Sequence, residues 1–222
     1  MPRPSNRTAI IDAACRAIEK LGAAAITFDA VAAEAGLTKA GVVYHFRSMD
    51  VLIGSIHEHL AATWEDDMTA ALGKRPEQAT DAERVAAYVK VAEQSASRAE
   101  VLLMNDAQHD DDYAASWSAV ADRWTPPVPS PAADGSYDEE ELTLVLAHLA
   151  ADGLWCYESS TGRELPAEIR SVLVDRILGL MRQPPCARGT RSSARRDRAG
   201  GSATPSGAGP AGQVDPQPHP LR

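Results

Sequence analysis

The fold is decided by residues 27–46, which read TFDAVAAEAGLTKAGVVYHF. Thr27 is a favourable N-cap, and the apolar residues after it recur at helical spacing, so a short helix is expected to begin there. Gly36 can take the left-handed conformation that ends a helix, and Thr38 can cap a second helix of about two turns. The pattern predicts a helix-turn-helix, whose second helix can enter the major groove of DNA.

The side chains of the second helix suit contact with a DNA duplex. Thr38 and Lys39 lie at its positive N-terminal end, where both can meet phosphate, and Lys39 could instead reach the edge of a guanine. Tyr44 and His45 can bond to phosphate oxygens from the other end. Small residues between them would let the backbone approach the bases and bring methyl groups to thymine; these are Ala40, Gly41 and Val42. The alternative is an ordinary helical hairpin inside an all-helical protein.

The N-terminal segment resembles the DNA-binding domain of the tetracycline-repressor (TetR) family. The resemblance is carried by Arg7, Ile11, Ala14, Gly22, Thr27, Val31, Ala32, Ala35-Gly36-Leu37-Thr38, Gly41, Tyr44-His45-Phe46, Ser48 and Leu52. It implies an all-α homodimer that represses or activates transcription and that a small molecule releases from, or recruits to, a DNA operator. The family usually has a Ser-Lys pair with the lysine on a phosphate. Here Ser48 is followed by Met49, and Arg47 could supply the missing charge.

The pattern and the resemblance together define a DNA-contacting set. It comprises Thr27, Thr38, Lys39, Ala40, Gly41, Val42, Tyr44, His45 and Arg47. The expected partner is a palindromic operator in double-stranded DNA, since two reading helices must lie about 34–36 Å apart to meet successive major grooves.

Composition favours helices over sheets, because alanine is frequent and aromatic residues make up only 5% of the chain. We predict an all-α protein with an N-terminal three-helix helix-turn-helix domain at 1–48, followed by a helical ligand-binding and dimerisation domain at 49–183. Residues 184–222 hold 7 of the 15 prolines and 6 of the 15 glycines, which predicts a disordered tail. Its arginines could add salt-sensitive DNA affinity or serve only as a solubilising extension.

Caps and helix breakers predict the helix boundaries. We expect a first helix at 5–22, a long helix capped by Ser48 and running to 72, and a helix opened by a capping box at 80–83. Two helices are expected at 100–108 and 111–124, followed by a proline-rich linker and a helix from a second capping box at 136–139 to about 159. Pro166 suits the first turn of a last helix that ends near Arg182.

The net charge of −9 is unevenly distributed. Residues 1–57 hold 6 Lys and Arg against 5 Asp and Glu, residues 58–183 hold 10 against 24, and residues 184–222 hold 6 against 2. The acidic excess therefore lies away from the reading head, so DNA would repel the body and orient the molecule. The same excess could equally be a solvated acidic surface.

The last two helices carry broad apolar stripes that predict a homodimer. Two such helices can form half of a four-helix bundle with a second copy of the chain. The predicted interface residues are Leu142, Leu146, Leu149, Ile169, Leu173, Ile177 and Leu180. The alternative is that both helices pack only inside one chain.

All four tryptophans follow the reading head, which indicates a ligand pocket among the middle helices. Aromatic and Met side chains on converging helices make an adaptable apolar pocket. The predicted ligand-binding residues are Met104, Trp117, Trp155, Tyr88 and Cys156, and the alternative is plain core packing. The expected effector is an unknown apolar or amphipathic small molecule. Nearby acids could favour a cation or form a solvated face; they are Glu93, Glu100 and Asp106.

Nothing in the sequence predicts catalysis, so neither enzymatic activity nor a cofactor is expected. The run 109–112 offers metal-ligand chemistry, but neighbouring residues on a helix point apart, and Asp110 or Asp111 more simply caps a helix. No metal site is therefore expected. Cys15, Cys156 and Cys186 lack disulfide or metal spacing and are expected to be free thiols.

The sequence also predicts where the protein works. It has no apolar run long enough to cross a bilayer, and its first residues lack an apolar signal core, so we expect no membrane partner and a cytoplasmic location. The rival interpretation is a non-catalytic helical adaptor that binds protein through its last two helices and does not bind DNA.

Overall fold

The computed structural model describes residues 6–107 and 110–182, and this part of the chain is helical and contains no strand. Its α-helices are α1 (Asn6–Leu21), α2 (Phe28–Ala35), α3 (Lys39–His45), α4 (Met49–Leu72), α5 (Asp81–Val91), α6 (Arg98–Ala107), α7 (Asp111–Trp124), α8 (Glu139–Thr161) and α9 (Ala167–Arg182). Short 3-10 turns lie at Ala23–Ala25 and Pro76–Gln78. The all-α prediction is confirmed.

Local capping bonds place most helix ends where the sequence predicts them. The Ser48 hydroxyl accepts the N–H of Val51 at 3.2 Å and begins α4. The capping box of α5 forms in full, since the Thr80 hydroxyl accepts the N–H of Glu83 at 3.2 Å and the Glu83 carboxylate accepts the N–H of Thr80 at 2.9 Å. These bonds satisfy backbone donors that the first turn of a helix leaves unpaired.

The predicted capping box at the start of α8 is wrong. Asp138 is the N-cap, and its carboxylate accepts the N–H groups of Glu140 at 2.8 Å and Glu141 at 3.0 Å. Ser136 instead donates its hydroxyl to the Asp134 carboxylate at 2.6 Å in the preceding turn. An ionised carboxylate that meets two N–H groups at the positive end of a helix is the stronger cap.

Sequence reasoning missed the capping box that opens α6. The Ser97 hydroxyl accepts the N–H of Glu100 at 3.1 Å, and the Glu100 carboxylate accepts the N–H of Ser97 at 2.7 Å. α6 therefore begins at Arg98, ahead of the predicted start at 100. Pro166 precedes α9 and does not lie within its first turn; its carbonyl accepts the N–H of Ile169 at 2.9 Å.

Two apolar cores hold the described helices together. The head core joins α1, α2, α3, the first half of α4 and α6, and contains Ile10, Ile11, Ala14, Ala17, Ile18, Ile26, Val31, Ala32, Val42, Phe46, Leu52, Ile56, Ala99 and Leu103. The body core joins the second half of α4 to α5, α7, α8 and α9, and its largest fully buried members are Trp124 and Met68.

Helix α4 belongs to both cores. Leu52 and Ile56 are fully buried in the head core, and Met68, about three turns later, is fully buried in the body core. Each fully buried Leu or Ile side chain contributes roughly 1.5–3 kcal/mol of stability. A movement of α4 therefore disturbs packing in both cores, which makes α4 the mechanical link between them.

Several sequence predictions fall outside the described residues. They are the tail at 184–222 with its arginines, Cys186, and His109. The domain division at 1–48, 49–183 and 184–222 stays a prediction. No helix within the described ranges is long and apolar enough to span a bilayer.

Candidate nucleic-acid interface and ligand cavity

The segment from α2 to α3 has the geometry of a helix-turn-helix. The Thr27 hydroxyl accepts the N–H of Ala30 at 3.2 Å, and the Thr38 hydroxyl accepts the N–H of Gly41 at 3.1 Å, so each threonine caps its helix. Gly36 lies between them with a φ of 66°, a conformation that other residues rarely adopt. The turn is therefore held by bonds between residues close in sequence.

Six of the nine predicted DNA-contacting residues are exposed, on α3 or next to the helix-turn-helix caps. Tyr44 is 83% exposed, and the exposed set also includes Thr27, Thr38, Lys39, Ala40 and Arg47. Gly41 and His45 are half-buried. Val42 is fully buried in the head core beside Phe46, so its methyl groups support α3 from behind and do not reach thymine. The prediction of a base contact is therefore wrong for Val42, because the turn that presents Lys39 and Tyr44 directs Val42 inward.

Arg7 ties α3 to its neighbours, a role that the sequence did not reveal. Its guanidinium donates to the Ser55 hydroxyl on α4 at 2.6 Å and to the His45 carbonyl at 3.5 Å. It also lies 4.5 Å from the centroid of the Phe46 ring, within cation–π distance. Both polar partners are far along the chain, so no local pattern could identify them. Arg7 thus joins the end of α3 to α4.

Ion pairs neutralise much of the positive charge on the head. The Lys39 ammonium lies 2.8 Å from the Asp29 carboxylate, and both side chains are more than half exposed. Glu34 accepts bonds from Lys20 at 2.6 Å and Arg16 at 2.9 Å, which lower the pKa of its carboxyl. Exposed pairs of this kind are worth little in water, so Lys39 can exchange Asp29 for a phosphate at small cost.

A cavity of about 400 Å³ lies among helices α4 to α8. It is lined by Trp64, Tyr88, Met104, Trp117, Ser118, Ala121, Trp124, Thr125, Asp152, Trp155 and Cys156. The five predicted ligand-binding residues all lie in this wall. The Trp64 ring lies next to three other rings of the lining. Its centroid is 5.2 Å from that of Tyr88, 5.9 Å from that of Trp155 and 6.3 Å from that of Trp117.

Asp152 is the charged group of the cavity, and sequence reasoning missed it. Its carboxylate accepts a hydrogen bond from the Tyr88 hydroxyl and lies 3.8 Å from the His148 ring nitrogen. Burial, together with the Asp152 charge, raises the pKa of Tyr88, so the phenol stays neutral. In the sequence, Asp152 precedes Trp155 by three residues and Cys156 by four. This spacing places all three on one face of a helix, and it could have identified Asp152 as part of the lining.

The acids considered from sequence do not line this cavity. Glu100 caps α6, Glu93 offers its backbone carbonyl to Arg170 at 3.1 Å, and Asp106 lines a separate cavity near the head core. These three carboxylates are therefore not part of the lining, and the alternative that they belong to a solvated face stays open.

A buried hydrogen bond connects the cavity wall to α4. The Trp117 indole N–H donates to Nδ1 of His57 at 2.9 Å, and the His57 ring stacks on Tyr113 with centroids 4.7 Å apart. Burial lowers the pKa of His57, so the ring is neutral and Nδ1 is free to accept. Its proton then sits on Nε2, which is buried without a hydrogen-bond partner among the described residues.

Helices α8 and α9 leave an apolar face uncovered within one subunit. Six of the seven predicted interface residues are 38–60% exposed: Leu142, Leu146, Leu149, Ile169, Leu173 and Leu180. Ile177 is only 8% exposed because it packs into the body core, so its predicted place in the interface is wrong. The alternative that both helices pack only within one chain leaves this face unexplained, since contiguous apolar patches usually mark an interaction surface.

Other candidate chemistry is sparse. Among residues 6–107 and 110–182, no group of three or more His, Cys, Asp or Glu side chains could hold a metal ion. Asp110 caps α7, where its carboxylate accepts the N–H of Asp112 at 3.0 Å. Burial raises the pKa of Cys15 to about 12, so this thiol is unreactive at neutral pH.

Comparisons with known proteins agree with this geometry. The family described as "Bacterial regulatory proteins, tetR family" matches residues 10–56, and "Tetracyclin repressor-like, C-terminal domain" matches residues 82–182. The transcriptional regulator BetI of Brucella anthropi is 35% identical over 88 residues, which is 40% of this chain and 44% of BetI. The match thus spans less than half of that curated relative.

Solved structures share the fold. A TetR-family transcriptional regulator from Rhodococcus sp. has a TM-score of 0.54 at 18% identity, over 79% of this chain and 98% of its own. The multidrug binding protein EbrR, solved with malachite green, has a TM-score of 0.50 at 21% identity, over 78% of this chain and 98% of its own.

Proposed function

Because the chain belongs to the tetracycline-repressor family of bacterial regulatory proteins, we propose that it is a ligand-responsive DNA-binding transcriptional regulator. It acts in the cytoplasm as a homodimeric repressor that leaves a palindromic operator when a small apolar or amphipathic molecule binds. Regulators of this family are non-catalytic, so the protein is not an enzyme.

The exposed surface of α3 is the observation that carries DNA binding. Lys39 stands exposed at the positive end of the helix and Tyr44 at the other, while Val42 and Phe46 anchor the opposite side in the head core. Such a helix can enter a major groove without losing its own packing. Arg47, exposed just after α3, takes the phosphate contact for which Met49 offers no charge.

The apolar face of α8 and α9 supports the homodimer. In a symmetric dimer the same patch meets its copy, and the two helices complete a four-helix bundle. Burying side chains such as Leu146 and Leu149, which are more than half exposed, would supply the driving force at roughly 25 cal/mol per Å² of apolar surface. The bundle then sets the spacing of the two reading heads.

Release follows from the position of α4. Trp64 brings α4 into the cavity wall, His57 on α4 bonds to Trp117 in the part of the wall that α7 forms, and Leu52 carries α4 into the head core. A ligand that pushes these walls apart shifts α4 and changes the distance between the two heads. It acts only through its higher affinity for the shifted state.

The walls of the cavity support an apolar or amphipathic effector. Its lining is mostly indole, phenol and thioether, and the adaptable Met104 lies among the aromatic rings. A volume of about 400 Å³ falls in the range of small-molecule sites. EbrR, which shares the fold, is described as multidrug-binding.

The test is a selection of bound fragments from genomic DNA, followed by mobility shift on the recovered sequence. We expect a palindromic site, one dimer per site, and an affinity that falls steeply with salt. A compound panel then identifies the molecule that abolishes the shift. If no sequence is enriched and the protein instead captures a partner through α8 and α9, the adaptor interpretation replaces this one.

A further inference from the structure

The cavity in the body surrounds its contents with aromatic rings. Every tryptophan of the chain contributes to its lining: Trp64, Trp117, Trp124 and Trp155. Tyr88 adds a fifth ring, stacked edge-on against Trp64 at 5.2 Å. Aromatic faces carry partial negative charge, and they attract a cation that lies within about 6 Å of the ring centre.

One carboxylate faces these rings without a cationic partner. Asp152 is the acidic side chain among the described residues that line the cavity, and within the described ranges no Lys or Arg pairs with it. Its hydrogen bond from Tyr88 fixes the carboxylate without cancelling its charge. His148 is the nearest basic group, and burial lowers its pKa, so the ring stays neutral near pH 7. The Asp152 side chain is 44% exposed, so water solvates it before a ligand binds, and a ligand cation can take the place of that water.

The same lining disfavours anions. It includes neither Lys, Arg nor His, and the indole N–H of Trp117 is already used by His57. The remaining side-chain donors all belong to uncharged groups: the hydroxyls of Ser118 and Thr125, the thiol of Cys156, and the indole N–H groups of Trp64, Trp124 and Trp155. An anionic ligand would lose its hydration and meet a carboxylate and the negative faces of the rings.

We infer that this cavity binds an organic monocation, with an apolar body among the indoles and an alkylated or aromatic ammonium group next to Asp152. This inference rests on the proposed function, whose effector it narrows to one charge class. Two features of the lining favour this ligand independently. The faces of the aromatic rings attract the cation, and the Asp152 carboxylate attracts its positive charge.

The experiment uses three probes of nearly equal size and different charge on the full chain without DNA. They are phenyltrimethylammonium, its neutral isostere tert-butylbenzene, and benzenesulfonate. Tryptophan fluorescence and calorimetry give the three affinities. We expect the cation to bind on the order of tenfold more tightly than the neutral isostere, and the anion not to bind. Equal affinity for the cation and the isostere, or no binding of the cation at millimolar concentration, would overturn the inference.

Substitutions then assign the discrimination to the carboxylate. In Asp152→Asn the amide oxygen can still accept the Tyr88 hydroxyl, and the preference for the cation should shrink about threefold, because the aromatic faces still favour the cation. Asp152→Glu should keep it. The matched control is Asp175→Asn, which removes the same charge from an exposed residue of α9 outside the lining and should leave the preference intact. A preference undiminished in Asp152→Asn contradicts the role of the carboxylate.

The outcome separates this inference from the proposed function. If the protein shifts its operator but does not prefer the cation, the proposed function stands and this inference is wrong. If the protein prefers the cation but shifts no DNA sequence, the ligand site stands and the proposed function as a DNA-binding regulator is wrong.

Discussion

The indole N–H of Trp117 donates a 2.9 Å hydrogen bond to Nδ1 of His57, and so joins one wall of the cavity to the helix that enters the head core. Both side chains lie among aromatic neighbours, since His57 also stacks on Tyr113. A bond of this kind in a low-dielectric interior is costly to break without replacement. It is therefore a direct route from an occupied cavity to α4.

Trp117→Phe replaces the indole with a smaller aromatic ring that has no N–H, so it should weaken coupling between ligand and DNA. We expect the ratio of operator affinities without and with the releasing compound to fall by about fivefold, the equivalent of one hydrogen bond of roughly 1 kcal/mol. The comparison is Trp155→Phe, which makes the same change of side chain in the lining and leaves the bond between Trp117 and His57 intact. A full ligand response in Trp117→Phe would show that the signal does not pass through this bond.

The pair of Lys39 and Asp29 predicts opposite effects on DNA affinity. Lys39→Ala should weaken operator binding. It should also reduce the slope of log affinity against log salt concentration by about 0.9, the value for one lost phosphate contact. Asp29→Asn should strengthen binding, because it frees the ammonium now held at 2.8 Å and removes a negative charge from the interface. Filter binding across a salt series measures both. If Lys39→Ala changes neither affinity nor sequence preference, Lys39 is not at the interface.

Tyr44→Phe should weaken binding by on the order of tenfold, because the hydroxyl would lose a bond to a charged phosphate. The loss should be similar for operator and unrelated DNA, since phosphate carries no sequence information. At 83% exposure the side chain contributes little packing, so the unfolding temperature should not change. A loss confined to the operator would assign Tyr44 to a base.

Leu146→Asp should separate the dimer. The side chain is 56% exposed in the subunit, and a carboxylate there would be buried unpaired against its copy. We expect sedimentation to give the mass of one chain at micromolar concentration, and operator affinity to fall more than tenfold. Val128→Asp is the control, since Val128 is 84% exposed in the segment before α8 and is not one of the predicted interface residues. A dimeric Leu146→Asp protein would place the interface elsewhere.

Stability should fall as the solution becomes acidic. Burial lowers the pKa of His57 and His148 below the ordinary value of 6.5, so below that pH the unfolded chain binds protons that the folded chain does not. The stabilisation is complete above pH 6.5 and is lost as the pH falls towards the lowered values, by up to about 1.4 kcal/mol per pH unit for each histidine.

Denaturant unfolding between pH 5 and 8 measures this slope. His57→Asn removes one titrating group and keeps an oxygen that can accept from Trp117. The change in unfolding free energy with pH below 6.5 should therefore decrease by up to about 1.4 kcal/mol per pH unit, the contribution of one proton. An unchanged slope in this variant would mean that His57 has the same pKa in the folded and the unfolded chain.

Local bonds account for what could be predicted. Caps such as Ser48 and Thr80 join atoms within three residues of each other, so their partners are visible in the sequence. The missed box at Ser97 has the same local form and was available to the same reasoning. At the start of α8 the sequence offers two local caps, Ser136 and Asp138. The charged carboxylate of Asp138 forms the stronger bonds and caps the helix.

The amino-acid sequence by itself determined the all-α class, the helix-turn-helix, and the concentration of aromatic side chains that became a cavity wall. These follow from propensity, periodicity and contacts within one or two turns of a helix. Tertiary structure alone decided that Val42 and Ile177 face cores, that Asp152 faces the indoles, and that Arg7 reaches Ser55. Those outcomes depend on how helices distant in the chain rotate and pack against one another, and no local spacing encodes that rotation.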